Sequence, residues 1–246
     1  MDIARRTQIS IVAATSLPEP MVLRPVRPKV FDLVEVVRGV TLQPQDAEAG
    51  NGLSGDGKLI GILLAAGFST RFGGSKCLAR MANGVAMAVQ AARNLESAVD
   101  HVVCVVRTDD IVLKSEITAA GFDVVECADS AKGMSASLRS GVRATPEADG
   151  WLIALADMPW IRPSTCRMVA RELKQKGGIV VPVFKGEQGH PVGVPASRIG
   201  DLQSLSGDHG ARALLDRYPR EVRRIVTEDP GILRDVDTPE QLRCAS

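Results

Sequence analysis

The chain has 246 residues, a formal charge of +1 at pH 7 and 45% apolar residues. That suits one domain with a sizeable core and at most an appendage. Near-neutral charge, with Lys and Arg spread along the chain and no aromatic stacking series, excludes a long polyanion, so no nucleic acid is expected as a partner. No apolar run approaches the roughly 18 residues that cross a bilayer, and "ISIVAAT" is too short for a secretory core. No membrane contact and a cytoplasmic location are expected. The five cysteines are odd in number, widely spaced and free of C-x-x-C pairs, which reads as reduced thiols rather than a zinc site or a disulfide framework.

Residues 1–57 stand apart. Pro18, Pro20, Pro25, Pro28 and Pro44 are followed by "AGNGLSGDG", which reads as a linker. The expectation is an N-terminal extension over 1–57, either partly disordered or packed on the domain as an enlargement of it, and a folded domain over 58–246. From Lys58 a rhythm begins. "KLIGILLAA" has strand length, "AMAVQAARNL" has helical spacing, and "HVVCVVR" and "DVVEC" are β-rich. "GMSASLRSGVRA" places Met134, Leu138 and Val142 four apart on one helical face. "GWLIALADMP" reads as a buried strand, and "PSTCRMVARELKQKGG" opens with proline and closes with glycine, as helices do. "GIVVPVF" and "PVGVPA" are strand candidates, "GDHGARALLDRYP" reads as a helix capped by Asp208, and "VRRIV", "GILRDVD" and a short helix from "TPEQL" close the chain. Strands alternating with helices predict an α/β fold, a Rossmann-like, mostly parallel sheet with helices on both faces. Ligands of such sheets sit beyond the carboxyl ends of the strands, where strand order switches.

Three stretches carry chemistry at strand ends. In "GILLAAGFSTRFGGSK", Gly67, Gly73 and Gly74 let backbone N–H groups turn toward an anion, and Arg71 and Lys76 add two cations. The loop suits a nucleoside triphosphate, yet it is neither a Walker loop nor G-x-G-x-x-G, and a structural turn explains such a stretch equally well. In "LIALADMP", Asp157 ends a strand and either joins a metal–phosphate site or caps the turn before Pro159. In "LRDVDTPE", Asp235 and Asp237 are two apart, so on a strand they face one way; one joins Asp157, or both cap the following helix.

Taken together, "LLAAGFSTRFGGSK", "GMSASLRSGV", "LADMPWI", "GHPV", "SGDHGARALL" and "DVDTPEQL" resemble, in order, the molybdenum cofactor cytidylyltransferases, over residues 59–243. Phe72 and Ser75 depart mildly from the family's loop. The resemblance implies a nucleotidyltransferase-type domain over 58–246 and a reaction in which CTP and molybdopterin, or its molybdenum-loaded form, give the cytosine dinucleotide cofactor and pyrophosphate. It implies Arg71, Lys76 and Asp157 as catalytic residues, with Mg²⁺ held by Asp157 and Asp237. It implies nucleotide contacts from Leu64, Ala65, Ala66, Gly67, Ser69, Arg71, Lys76, Ser135 and Ser137. It implies acceptor contacts from His190, Pro191, His209 and Arg212, and a molybdoenzyme of the xanthine dehydrogenase class as downstream partner. Related guanylyltransferases tend to have L-A-G-G where this chain has "LAAG", so the methyl of Ala66 points to a pyrimidine. Ser135 and Ser137 serve helix capping equally well, and Trp160 is expected at the rim. Two other readings compete: a guanylyltransferase or other NTP transferase of the same fold, and a non-catalytic carrier of the molybdenum cofactor that serves a hydroxylase.

Overall fold

Strand β1 (Leu59–Leu64) is buried along its whole length because both of its faces are covered. Leu59 and Leu63 enter one core and Ile60, Ile62 and Leu64 the other. The computed structural model describes residues 57–68, 72 and 75–243. Nearly all of the expected 1–57 extension, together with Ser69, Arg71, Gly73, Gly74 and Cys244, lies outside the described residues.

The other strands are β2 (His101–Arg107), β3 (Asp123–Cys127), β4 (Gly150–Leu155), β5 (Ile179–Phe184), the short β6 (Glu187–Gln188), β7 (Val192–Pro195) and β8 (Val222–Val226). They form one eight-stranded sheet in the order β3-β2-β1-β4-β7-β5-β6, with β8 paired to β5. Strands β1 to β4 are mutually parallel and β5 is parallel to β8. β7 runs antiparallel to both β4 and β5, and β6 antiparallel to β5. The sheet is therefore mixed, with a parallel majority and flanking helices, a Rossmann-like α/β fold.

Three helices cover one face: α1 (Met87–Glu96), α2 (Ile111–Ala119) and α4 (Pro163–Lys176). They bring Leu95, Leu113, Ile117, Val169 and Leu173 into the first core. On the other face, α3 (Met134–Ala144), α5 (Ile199–Ser204) and α6 (Arg212–Arg217) bring Leu138, Val142, Leu202 and Leu214 into the second. Each such fully buried aliphatic stabilises the fold by roughly 1.5–3 kcal/mol. Helix α3 lies close on β1 because Gly141 has no side chain; a Cβ there would stand 2.8 Å from Ile62 Cγ2. The short helix α7 (Pro239–Arg243) ends the described chain.

Several sequence expectations need correction. Helix α2 did not stand out by periodicity, because Ile111 and Val112 are exposed and blur its apolar face. Its start was nonetheless marked by Asp110, whose side chain accepts from Leu113 N–H at 3.1 Å. Helix α5 was also missed; it is only six residues long. "GDHGARALLDRYP" is helical only from Arg212 to Arg217, and Asp208 does not cap it. That carboxylate instead accepts from Met134 N–H at the start of α3, 3.1 Å away. "GILRDVD" is not a strand. The buried carboxylate of Asp229 accepts from Gly231 N–H at 2.9 Å and folds Pro230–Leu233 into a 3-10 turn. Residues 234–237 then run without secondary structure, and the N–H of Val236 donates to the carbonyl of Asp157 at 2.9 Å.

Candidate active site

The chain winds from β1 outward to β2 and β3, then returns to place β4 on the other side of β1. That reversal opens a crevice at the carboxyl ends of β1 and β4. The two strands stay paired to their last residues, Leu64 against Leu155, and Ala156 N–H donates to Leu64 O at 3.0 Å. Asp157, the second residue after β4, is thereby held beside the loop that leaves β1.

Lys76 reaches the same point from a 3-10 turn, Lys76–Leu78. Cys77 anchors that turn as a buried plug, and burial pushes its thiol up to about 12, so it stays protonated. The hydroxyl of Ser75 donates to Asp110 Oδ2 at 3.3 Å and ties the turn to the start of α2. Lys76 Nζ donates to Asp157 Oδ2 at 2.9 Å and to Asp237 Oδ1 at 3.2 Å. Burial by itself pulls the Lys76 ammonium down, but the two carboxylates outweigh it, and its pKa stands above the ordinary lysine value. The other oxygen of Asp157, Oδ1, is buried and has no hydrogen-bond partner among the described residues.

Two cavities meet near this cluster, and Leu155 lines both. The first, about 350 Å³, is lined by Leu64 through Phe68, Lys76, Asp157, the start of α3 and Asp208. The second, about 580 Å³, is lined by His190, Arg212, Glu187, Asp216 and Asp235, with Met158 and Leu215 among its apolar walls. Both volumes suit small-molecule sites. His190 is partly buried, and burial pulls its pKa down. Its Nδ1 lies 3.5 Å from the carbonyl of Ile153, an acceptor, so that contact places the imidazole proton on Nδ1.

The structure brings Lys76, Asp157 and Asp237 together, and sets Leu64, Ala65, Ala66, Gly67 and Ser137 around the first cavity. Ser135 does not line it; its side chain is fully buried, with Oγ unpartnered among the described residues. His190 and Arg212 line the second cavity, whereas Pro191 is buried and does not line it. His209 is exposed and lines neither cavity; its carbonyl accepts from Arg212 N–H at 3.2 Å. Trp160 also lines neither cavity and lies 4.0 Å beneath the guanidinium of Arg234. Asp235 and Asp237 part company, Asp235 facing the second cavity and Asp237 meeting Lys76. Sequence reading missed Asp208, Asp229, Glu187 and Asp216. Only Asp229, standing before a proline and a glycine, carried a local turn signal.

Sheet order and switch-point crevice define a Rossmann-like α/β protein whose carboxyl edge carries a lysine between two carboxylates. Residues 61–222 match the family model described as "MobA-like NTP transferase domain", and the chain belongs to that family. It is similar to the purine catabolism protein PucB of Bacillus subtilis (strain 168), 32% identical over 193 residues, 74% of this chain and 93% of PucB. It is also similar to the nicotine blue oxidoreductase of Paenarthrobacter nicotinovorans, 29% identical over 193 residues, again 74% of this chain and 93% of that protein. Among solved structures, Rv0371c of Mycobacterium tuberculosis H37Rv is 28% identical, with a TM-score of 0.65 over 76% of this chain and 96% of its own. The same Mycobacterium protein has been solved in complex with manganese, at 26% identity and a TM-score of 0.64, over 76% of this chain and 97% of its own. The chain is accordingly a nucleotidyltransferase of the MobA-like fold family. No helix among the described residues is long and apolar enough to cross a membrane.

Proposed function

We propose that this chain transfers CMP from CTP to the terminal phosphate of molybdopterin or its molybdenum-loaded form, with release of pyrophosphate and with Mg²⁺ as cofactor. The observation that carries the reading is the Lys76–Asp157–Asp237 cluster at the first cavity, which shares Leu155 with the second. One cavity takes the nucleotide and the other the acceptor, so that their phosphates meet at the cluster. A phosphate monoester is already anionic near neutral pH and needs no strong general base. What the site must supply is alignment and neutralisation of two repelling anions. Lys76 contributes a full positive charge that its carboxylate partners keep protonated. Holding both reactants in line supplies a large share of the acceleration, since oriented pairs gain roughly 7–11 kcal/mol. Arg71 adds a second cation by the family resemblance.

The donors fit a hard divalent ion. Asp157 Oδ1 is a buried carboxylate oxygen unpartnered among the described residues, and Asp237 meets the same ammonium as Asp157. Mg²⁺ characteristically takes one or two carboxylates plus substrate phosphates, and the manganese complex of the Mycobacterium relative supports a divalent ion in this fold. Bound there by Asp157 and Asp237, it would neutralise charge on the phosphate oxygens.

The acceptor cavity supports a ring that donates hydrogen bonds and carries one phosphate. Arg212 supplies the cation, Glu187, Asp216 and Asp235 supply acceptors, and His190, with its pKa lowered, stays neutral at pH 7. Molybdopterin has that chemistry, and a xanthine dehydrogenase-class enzyme would receive the product. PucB and the nicotine blue oxidoreductase bear names from different processes, so the acceptor rests on the motif resemblance, with the cavity in support. Residues 1–57 remain, on this reading, an extension outside the catalytic domain of 58–246, and the protein works in the cytoplasm.

Pyrophosphate release with Mg²⁺ and molybdenum cofactor, compared across CTP, GTP, ATP and UTP, tests this directly. Turnover with CTP, lost in Asp157→Ala, is the expected result. Turnover with GTP would replace the base and keep the class. Turnover only with another phosphorylated acceptor would replace the acceptor. Cofactor binding without turnover on any nucleotide would make the chain a carrier.

A further inference from the structure

The first cavity has a charge polarity that its catalytic end does not explain. Asp208 lines it from the loop between α5 and α6. The Oδ1 of Asp208 accepts from Met134 N–H at 3.1 Å, and the carbonyl of Gly207 accepts from Ser135 N–H at 3.0 Å. Those N–H groups open α3 and would otherwise attract an anion. Here the 207–208 loop takes both and adds a full negative charge. The contact depends on Gly133, at φ 101°, where a Cβ would collide with Asp208 and with the carbonyl of Gly207.

The cavity is therefore lined by Lys76, whose ammonium is shared by Asp157 and Asp237 and which becomes the cationic end once Mg²⁺ on those carboxylates offsets them, and by the unneutralised carboxylate of Asp208 at the start of α3. A triphosphate lying against Asp208 would set like charges in contact. The nucleotide must lie with its phosphates at Lys76 and its neutral end toward Asp208. Leu64, Ala66 and Met134 also line the cavity and offer apolar walls for the faces of a base. Asp208 Oδ2 makes no hydrogen bond among the described residues. An ionised carboxylate can only accept, so whatever faces it must donate.

We infer that Asp208 selects an amino-bearing base, accepting from the exocyclic amine of cytosine and repelling the carbonyl that uracil carries at the same position. This rests on the reading of the first cavity as a CTP site. Ala66 sets the size of the base and Asp208 sets its hydrogen-bond sense. Both controls are needed, because a carboxylate alone also accepts from guanine or adenine amines.

Equilibrium binding of CTP, UTP and 2′-deoxy-CTP, each with Mg²⁺, to the whole chain and to Asp208→Asn tests it. Asparagine keeps an oxygen for Met134 N–H but offers an amide in place of the free carboxylate oxygen; a melting curve for each protein confirms that the fold persists. The wild type should favour CTP over UTP by at least about tenfold, as one charged hydrogen bond warrants. In Asp208→Asn that ratio should fall to within about threefold, with UTP binding unchanged or tighter, since the amide now donates to the uracil carbonyl. Equal weakening of CTP and UTP, with loss of discrimination against 2′-deoxy-CTP, would overturn the inference and place the carboxylate on the ribose. A wild type indifferent between CTP and UTP would overturn it as well. A folded wild type that binds no nucleotide would instead overturn the CTP-site reading, and this inference with it.

Discussion

Asp229 joins stability to the active site, and its removal offers a demanding test. The carboxylate is 2% exposed and accepts three hydrogen bonds: Arg162 N–H at 2.8 Å, the Thr165 hydroxyl at 2.7 Å and Gly231 N–H at 2.9 Å. The Arg162 guanidinium, 3.8 Å away, is more than half exposed and adds little. Each charge-assisted hydrogen bond is worth about 1.5–3 kcal/mol, and bonds sharing one acceptor are not additive. Asp229→Ala leaves buried donors unpaired as well, for a total loss of about 3–5 kcal/mol. In a domain of this size that lowers Tm by roughly 10 °C. The same carboxylate fixes the turn Pro230–Leu233, and a few residues on Val236 N–H holds the Asp157 carbonyl and Asp237 meets Lys76. Nucleotide affinity should therefore fall by about tenfold even at temperatures where Asp229→Ala is fully folded, the equivalent of ~1.4 kcal/mol. Urea denaturation and Mg²⁺–CTP titration measure the two effects. A loss of stability below about 1 kcal/mol would refute the account of the three bonds. Full loss of stability with unchanged nucleotide affinity would refute the link to the site.

Two further outcomes follow from the cavities. Ala66→Gly removes the methyl that narrows the base slot, so binding of GTP relative to CTP should rise by about tenfold, as one methyl in a tight pocket allows; competition titration of the two nucleotides reads it. The pKa of His190 lies below its unfolded value, with burial as the main cause. Its contribution to stability is therefore fully present above the unfolded value near 6.5 and is lost as pH falls through the folded one. Wild-type stability should drop below that pH more steeply than stability of His190→Gln, as urea midpoints at stepped pH values will show.

The sequence by itself determined the seven longer strands, most of the helices and the order of the chemical segments, but not the two-residue β6. Leu59–Leu64 and Gly150–Leu155 are apolar throughout because both faces are covered, and such runs are legible without a partner. The four-residue spacing of Met134, Leu138 and Val142 likewise marks α3 from local periodicity alone. Asp157 could be singled out because it stands just beyond such a strand, and Lys76 because it ends the glycine-rich loop that follows β1. Only the tertiary structure decided what depends on a second segment far along the chain. Asp208 looked like the cap of its own helix, yet it caps α3, 74 residues away in sequence. Asp235 and Asp237 looked like one face of a strand, yet after the turn held by Asp229 one lines the second cavity and the other meets Lys76. The antiparallel course of β7 between β4 and β5 has no local signature either. A residue's propensity is written in its neighbours, whereas the partner of a buried carboxylate is set by which loops the sheet brings together at its carboxyl edge.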